Sequence, residues 1–383
     1  MEVDYEKYLS LTPEERTRKI LEIQELIAED NQIPSSNACL LRELGNLHLA
    51  AQNYEEAIAF YDQALKIKPD DLGTWNNRGI ALGILGRYEE AIASYDKVIE
   101  IQPDFHFIWI NRGIALGNLG RYEEAIASYD QALKVQPDFY FAWSNRGVAL
   151  LNLGHNEEAI ASFDQALKIK PDDHQTWYNR GIALLNLGHN EEAIASYDQA
   201  LKFEPDFYFA WINRGVALLN LERYEKAIAS FDQALKIKPN NHQAWYNRGI
   251  ALDELGREQE AVASYDQALK IKPDDHQTWY NRGIALDELG REQEAVASYD
   301  QVLKIKPDYY QAWLYRGSAL IKLGRWREGN ASIQKAYEIN PEFVMAQFKA
   351  QMKQIFGSVL QKLGWEKLTQ VFTNLLKLIN PKV

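Results

Sequence analysis

The residues of this chain with chemistry to offer are seven histidines, one cysteine, many carboxylates and a series of asparagine amides. Histidines and carboxylates that converge hold metal ions or pass protons. Here the spacing argues against convergence. His106, His174, His242 and His276 are separated by multiples of 34 residues, and His155 and His189 by 34. Residues that recur at a fixed period occupy equivalent places in successive structural units, so they are strung out along the chain. The Asp/Glu clusters recur with the same period and read as solvated helix faces. There is no Walker loop, no G-x-G-x-x-G and no H-E-x-x-H. The expectation is a chain that is not an enzyme, with no catalytic residue, no metal site and no cofactor.

The asparagines offer a different chemistry. Asn77, Asn111, Asn145, Asn179, Asn213, Asn247 and Asn281 follow one another at steps of 34. An amide side chain carries both donor and acceptor, so it can pair with both groups of a peptide bond. A row of such amides would hold an extended chain by its backbone. The plain alternative is a hydrated surface asparagine in each unit.

The same period orders the whole chain. Prolines stand at 69, 103, 137, 171, 205, 239, 273, 307 and 341, and tryptophans at 75, 109, 143, 177, 211, 245, 279 and 313. Glycines follow at 79, 113, 147, 181, 215, 249, 283 and 317. A period of this length means a solenoid, because one short unit cannot bury a core alone and stacked units can. Each unit reads as two helices. In the seventh, a first helix runs from about His242 to Leu255 and ends at Gly256, which can adopt a left-handed turn. The second helix, in "REQEAVASYDQALKIK", opens with carboxylates at the positive end of its dipole and stops before Pro273. Asp274 or Asp275 is placed to cap the next helix. Glu222 replaces the turn glycine of the sixth unit, and a different turn geometry is expected there.

These residues resemble the tetratricopeptide repeat, whose pattern places a large apolar residue at position 4, Gly at 8, Ala at 20, an aromatic at 24, Ala at 27 and Pro at 32. The fifth unit matches with Trp177, Gly181, Ala193, Tyr197, Ala200 and Pro205. The ninth has lost two of these, with Gly329 at position 20 and Ile333 at 24. The resemblance implies an all-α fold, a right-handed superhelical α-solenoid of stacked antiparallel helix pairs. Nine units are expected over 38–343, at 38–71, 72–105, 106–139, 140–173, 174–207, 208–241, 242–275, 276–309 and 310–343. Gly249 and Ala261 then leave room for close helix approach, and Trp245 fills volume at a cost of roughly 3–5 kcal/mol on truncation if fully buried.

Where the family usually has an aliphatic residue at position 7, eight units carry arginine, from Arg78 to Arg316. Position 25 is aspartate from Asp62 to Asp300. Either an Arg–Asp ladder runs along the stack or the arginine heads reach water over their own stems. Residues 1–37 should form an N-terminal capping region, with Thr12, Pro13 and Glu15 as a helix start and Ile20, Ile23 and Ile27 as its apolar stripe. Residues 344–383 should form apolar helices, with Leu368, Val371, Phe372, Leu375, Leu376 and Ile379 on one face. They would cap the solenoid or make a homodimer.

In the family this fold implies a concave groove lined by first-helix positions, where peptides or proteins bind. The asparagines fall on that stripe, and the repeat arm of O-linked N-acetylglucosamine transferases looks similar. Around them Phe107, Ile110, Phe141, Leu151, Leu185, Phe209, Ile212 and Leu219 are apolar. Tyr178, Tyr246, Tyr280, Asp253, Glu254, Asp287 and Glu288 line its later part. The implied partner is a segment with an apolar stretch and a basic flank, although the apolar groups can instead pack between neighbouring helices. Arg42, Asn46 and Asn77 match part of the carboxylate clamp of chaperone-binding members, but Phe107 and Asn111 stand where it needs cations, so such a tail is not expected.

Net charge is −12 and the sequence pI about 5.2, which argues against nucleic acid. The lone Cys39 excludes an intrachain disulfide and fits a reducing compartment. No secretory signal and no membrane-spanning run is read, so a cytoplasmic location is expected. The function expected is a non-catalytic scaffold or adaptor. The alternative is the regulatory or substrate-recruiting arm of a complex whose catalytic part lies on another chain.

Overall fold

The computed structural model describes residues 6–29 and 34–350. Nineteen α-helices run from Pro13–Glu29 to Trp326–Ile339, and no strand occurs among the described residues. The chain is an all-α repeat solenoid of helix pairs. It divides into two compact bodies, Met1–Phe203 and Glu204–Val383. The first holds the N-terminal helix and units one to five, and the second holds units six to nine.

The N-terminal helix begins as its residues dictate. Thr12 N–H donates to Glu15 Oε2 at 2.8 Å, and Glu15 N–H donates to Thr12 Oγ1 at 3.2 Å. This reciprocal pair satisfies two otherwise orphaned donors. Ile23 is buried with Leu44, Leu47 and Ala50, and Ile20 and Ile27 pack against the same cluster. Arg16 donates to the Ala50 carbonyl. The helix therefore covers the first helix of unit one, Pro34–Ala50.

Within units one to eight the two helices meet at a glycine and an aromatic ring. A Cβ on Gly113 would lie 2.5 Å from Tyr129 Cε1, and one on Gly283 would lie 2.6 Å from Tyr299 Cε1. Only the missing side chain allows this approach. Tyr61, Tyr197, Tyr265, Tyr299, Phe163 and Phe231 are fully buried by it. In the ninth unit, where the ring is lost, Gly317 and Gly329 come together, each Cβ position 2.9 Å from the other's carbonyl oxygen. Stacking joins the units: one apolar cluster of the first body runs from Leu49 to Ala149.

The tryptophans differ from expectation. Trp245 and its counterparts are half-buried. Each turns its indole edge outward to the chain: Trp245 Nε1–H donates to the Pro239 carbonyl at 2.9 Å, and the pattern recurs from Trp75 with Pro69 to Trp313 with Pro307. Their truncation will cost less than that of a sealed core residue.

The turns between helices are left-handed, with Gly256 at φ +67° and Gly290 at +68°. Glu222 also takes this conformation, at φ +56°. A different geometry was the expectation, but Arg223 N–H reaches the Leu218 carbonyl as Arg257 N–H reaches Leu252, so packing of the pair imposes the turn against the residue's own preference.

Residues 341–350 are helical and Val344 is buried. The apolar stripe from Leu368 to Ile379 lies outside the described residues, and with it most of the proposed capping or dimer-forming segment.

Candidate partner-binding surface

The rotation of each first helix is set by its arginine. In unit two (first helix Leu72–Ile84), Arg78 Nε donates to Asp62 Oδ1 of the preceding unit at 2.6 Å, and its Nη1 donates to Ser94 Oγ of its own unit at 2.7 Å. The guanidinium lies over the Trp75 ring at 5.7 Å. The rung repeats in the first body at Arg112–Asp96, Arg146–Asp130 and Arg180–Asp164. In the second body it repeats at Arg248–Asp232, Arg282–Asp266 and Arg316–Asp300. The arginine heads therefore do not run free to water. They join consecutive units through the first helix, on which each asparagine directly precedes its arginine, about 100° around the helix axis. The serine partner was not foreseen, although "AS" before the second-helix aromatic recurs from unit two to unit eight.

In the first body the asparagines divide. Asn77 is buried, and its Nδ2 donates to Asn46 Oδ1 at 2.9 Å, which also accepts from the Tyr61 hydroxyl. That amide belongs to the packing between units one and two. Asn111, Asn145 and Asn179 are half-buried. Asn111 Nδ2 donates to Asn76 Oδ1 at 3.3 Å, Asn145 Nδ2 donates to the Phe141 carbonyl at 2.8 Å, and Asn179 Oδ1 accepts from Gln175 at 3.3 Å. Beside them Phe107 is 43% and Phe141 40% exposed, both against Phe139. Ile110 is buried and belongs to the core, while Leu151 and Leu185 are half-buried. Tyr178 packs its ring on Tyr197. Arg42, the one clamp-like cation, is engaged by Asp71 at 3.1 Å.

In the second body Phe209 is exposed, Ile212 is buried, and Asn213 and Leu219 are half-buried. Asn247 is buried, and Asn281 Nδ2 donates to the Tyr246 hydroxyl at 3.2 Å. Tyr280 lies among Tyr299, Tyr309 and Tyr315, with ring centres 5.3 to 6.3 Å away.

The carboxylates of this body stand at first-helix ends. Asp253 closes the helix His242–Asp253, followed by Glu254; Asp287 and Glu288 close His276–Glu288. Glu254 and Glu288 are exposed. Asp253 Oδ1 is buried without a protein partner, as is the hydroxyl of Tyr265. Burial pushes the Asp253 carboxyl up to about 7, and the carboxylates of Glu288, Glu258 and Glu254 add to the rise. Burial likewise raises the Tyr265 hydroxyl, with the charge of Asp253 next in weight, so that hydroxyl stays protonated. Asp287 Oδ1 and the Tyr299 hydroxyl are likewise buried without a protein partner, but Lys322 of the ninth unit donates to Asp287 Oδ2 at 2.8 Å. Nothing in the sequence reading singled out Lys322. The available signal was a lysine at the position that is glutamate in units seven and eight.

Among the described residues no group of three or more His, Cys, Asp or Glu is placed to hold a metal ion, and no helix is long and apolar enough to cross a membrane.

Models of the tetratricopeptide repeat match residues 36–104, 110–174, 178–242, 242–275 and 276–309. No curated protein matches the chain. Among solved structures, YrrB, described as a TPR protein with an unusual peptide-binding site, is 24% identical over 48% of this chain and 94% of its own, with a TM-score of 0.44. MamA from Desulfovibrio magneticus RS-1 is 22% identical over 44% of this chain and 96% of its own, with a TM-score of 0.43. A tetratricopeptide repeat protein from Parabacteroides merdae is 20% identical over 64% and 98%, with a TM-score of 0.48. With repeat models matching well over half of its length, and helix pairs built around the same glycine–aromatic contact from unit to unit, the chain belongs to the tetratricopeptide repeat family of protein-interaction scaffolds.

Proposed function

We propose that the chain is a non-catalytic scaffold whose first-helix stripe holds an extended segment of a partner protein. The observation that carries this reading is the row of half-buried amides Asn111, Asn145 and Asn179 beside exposed Phe107 and Phe141. A side-chain amide has capacity for about four hydrogen bonds, and each of these three spends one on a neighbour. The remaining capacity suits a peptide backbone, and the phenyl rings suit apolar side chains along it. Asn77 and Asn247, being buried, contribute to packing instead. In the second body the carboxylates Asp253, Glu254 and Glu288 favour a basic segment of the partner.

The test is the triple variant Asn111→Ala, Asn145→Ala, Asn179→Ala in the full chain. A partner captured by the wild type and identified by mass spectrometry is titrated against both proteins by calorimetry. Each lost pairing is worth about 0.5–1.5 kcal/mol, so binding should weaken by roughly ten- to a thousandfold, with the melting temperature little changed. Unaltered affinity would remove the amide row from the function.

A further inference from the structure

We propose that the apolar stripe of residues 368–379 docks in cis on a cavity in unit nine and closes the last part of the first-helix stripe, a regulation that rests on the partner reading above. In units one to eight the aromatic ring at position 24 is sealed, from Tyr61 to Tyr299. Unit nine carries Ile333 there, and it is half-buried. Ile333 borders a cavity of about 340 Å³, which Leu314 and Ile321 of the same unit and Val344 and Phe348 of the helical segment that follows also line. Among the described lining residues only Lys322 is charged, and Asp287 already holds it. An apolar cavity of ~150 Å³ accommodates a benzene ring, so this one has room for roughly two large apolar side chains. It lies on the partner stripe: Tyr315, also against it, stands at the position that is asparagine in units two to eight.

The sequence supplies an occupant of that chemistry within reach. Phe348 brings the chain to the cavity wall. Residues 349–367 then lead to the stripe, and Gly357 and Gly364 among them allow the chain to turn back. Leu368, Phe372 and Leu376 recur at steps of four, so a helix there offers two large side chains to the cavity at once. Charge agrees with apolarity. Residues 351–383 carry five lysines and one glutamate, whereas the whole chain has a net charge of −12. Exposed Glu254 and Glu288 stand at the ends of the two preceding first helices and favour such a basic segment. The segment thus combines an apolar stretch with basic charge, the chemistry inferred for the partner, and competes with it for this end of the stripe.

The test uses the full chain. Phe372→Asp with Leu376→Asp puts carboxylates where apolar groups must enter the cavity. Amides of residues 314–322 and 344–348 should then exchange hydrogen about tenfold faster than in wild type, with units two to five unchanged. A synthetic peptide of residues 366–381, followed by fluorescence anisotropy, should bind the double variant about tenfold more tightly than wild type, whose cavity is open in only a fraction of molecules. Adding Ser318→Trp, which fills the cavity from its lining, should abolish that binding. Equal exchange, or equal peptide affinity, in the two proteins would overturn the docking. Light scattering should show wild type as a monomer; a dimer that the double variant splits would assign the stripe to a second copy and end the reading in cis. A partner captured as above should bind the double variant about tenfold more tightly than wild type, and equal affinity would remove the competition. The protein with Asn111→Ala, Asn145→Ala and Asn179→Ala should keep the wild-type exchange rates, so failure of the partner reading is seen separately from failure of the docking.

Discussion

Trp245–Gln267 and Trp279–Gln301 have the same sequence, letter for letter. Inside the stack they are also the same structure. Tyr265 and Tyr299 are both fully buried against Gly249 and Gly283. Arg248 and Arg282 each hold an aspartate of the preceding unit and a serine of their own. At the end of the first helix the copies part. Asp287 meets Lys322, and Asp253 meets the field of Glu288. Packing inside a unit is written within that unit, whereas the electrostatics of the stripe are written jointly with the unit that follows. Identical residues in a repeat array are therefore not identical groups.

The largest effect should come where the copies agree. Gly249→Ala and Gly283→Ala each drive a methyl into a sealed tyrosine ring. Overpacking costs about 1–3 kcal/mol, offset in part by alanine's better helix propensity of about 1 kcal/mol. Urea denaturation should show a similar net loss for both; a difference above about 1 kcal/mol would break the equivalence of their interiors.

Next comes the pair of aspartates, where the same substitution should act with opposite sign. The folded-state pKa of Asp253 is raised to about 7 from the ordinary aspartate value of 3.8, chiefly by burial. Such a group favours folding fully below its unfolded pKa, and that contribution is lost as pH rises through the folded value. Asp253→Asn should therefore stabilise the protein at pH 8 and give a smaller gain at pH 5, which lies inside the window between the two values. Discounted for solvent screening of a half-exposed group, the gain is about 1 kcal/mol. Asp287→Asn removes the Lys322 pair and should cost about 0.5–1 kcal/mol at neutral pH. Thermal melts at both pH values read the two signs directly, and equal shifts would end the distinction.

The smallest effect concerns the rungs. Asp232 is 43% exposed and Arg248 19%, so their coupling should be about 0.5 kcal/mol. A double-mutant cycle of Arg248→Leu with Asp232→Leu should match the cycle of Arg282→Leu with Asp266→Leu. Strict additivity in either would reduce that rung to geometry.

The helix pairs, the Thr12–Glu15 box and the Arg–Asp rungs were legible because each depends on spacing within one unit or between residues 16 apart. What escaped depends on surroundings. Tryptophan at a core-like position is half-buried because its indole N–H leaves the core for a proline carbonyl. Asn77 shares its position with Asn111 yet is buried, because Asn46 of the first unit takes its amide. Glu222 adopts a glycine conformation because the pair around it demands the turn. Asp253 and Asp287 separate only at a spacing of 35, one more than the period, which alignment of the units does not display.

That spacing makes the number of units an electrostatic variable. Copying unit seven once more in tandem would place another glutamate 35 residues after another aspartate. Deleting unit eight would bring Lys322 into register with Asp253. Unequal recombination within this gene would thus change the balance of paired and unpaired acidic helix ends without altering any residue.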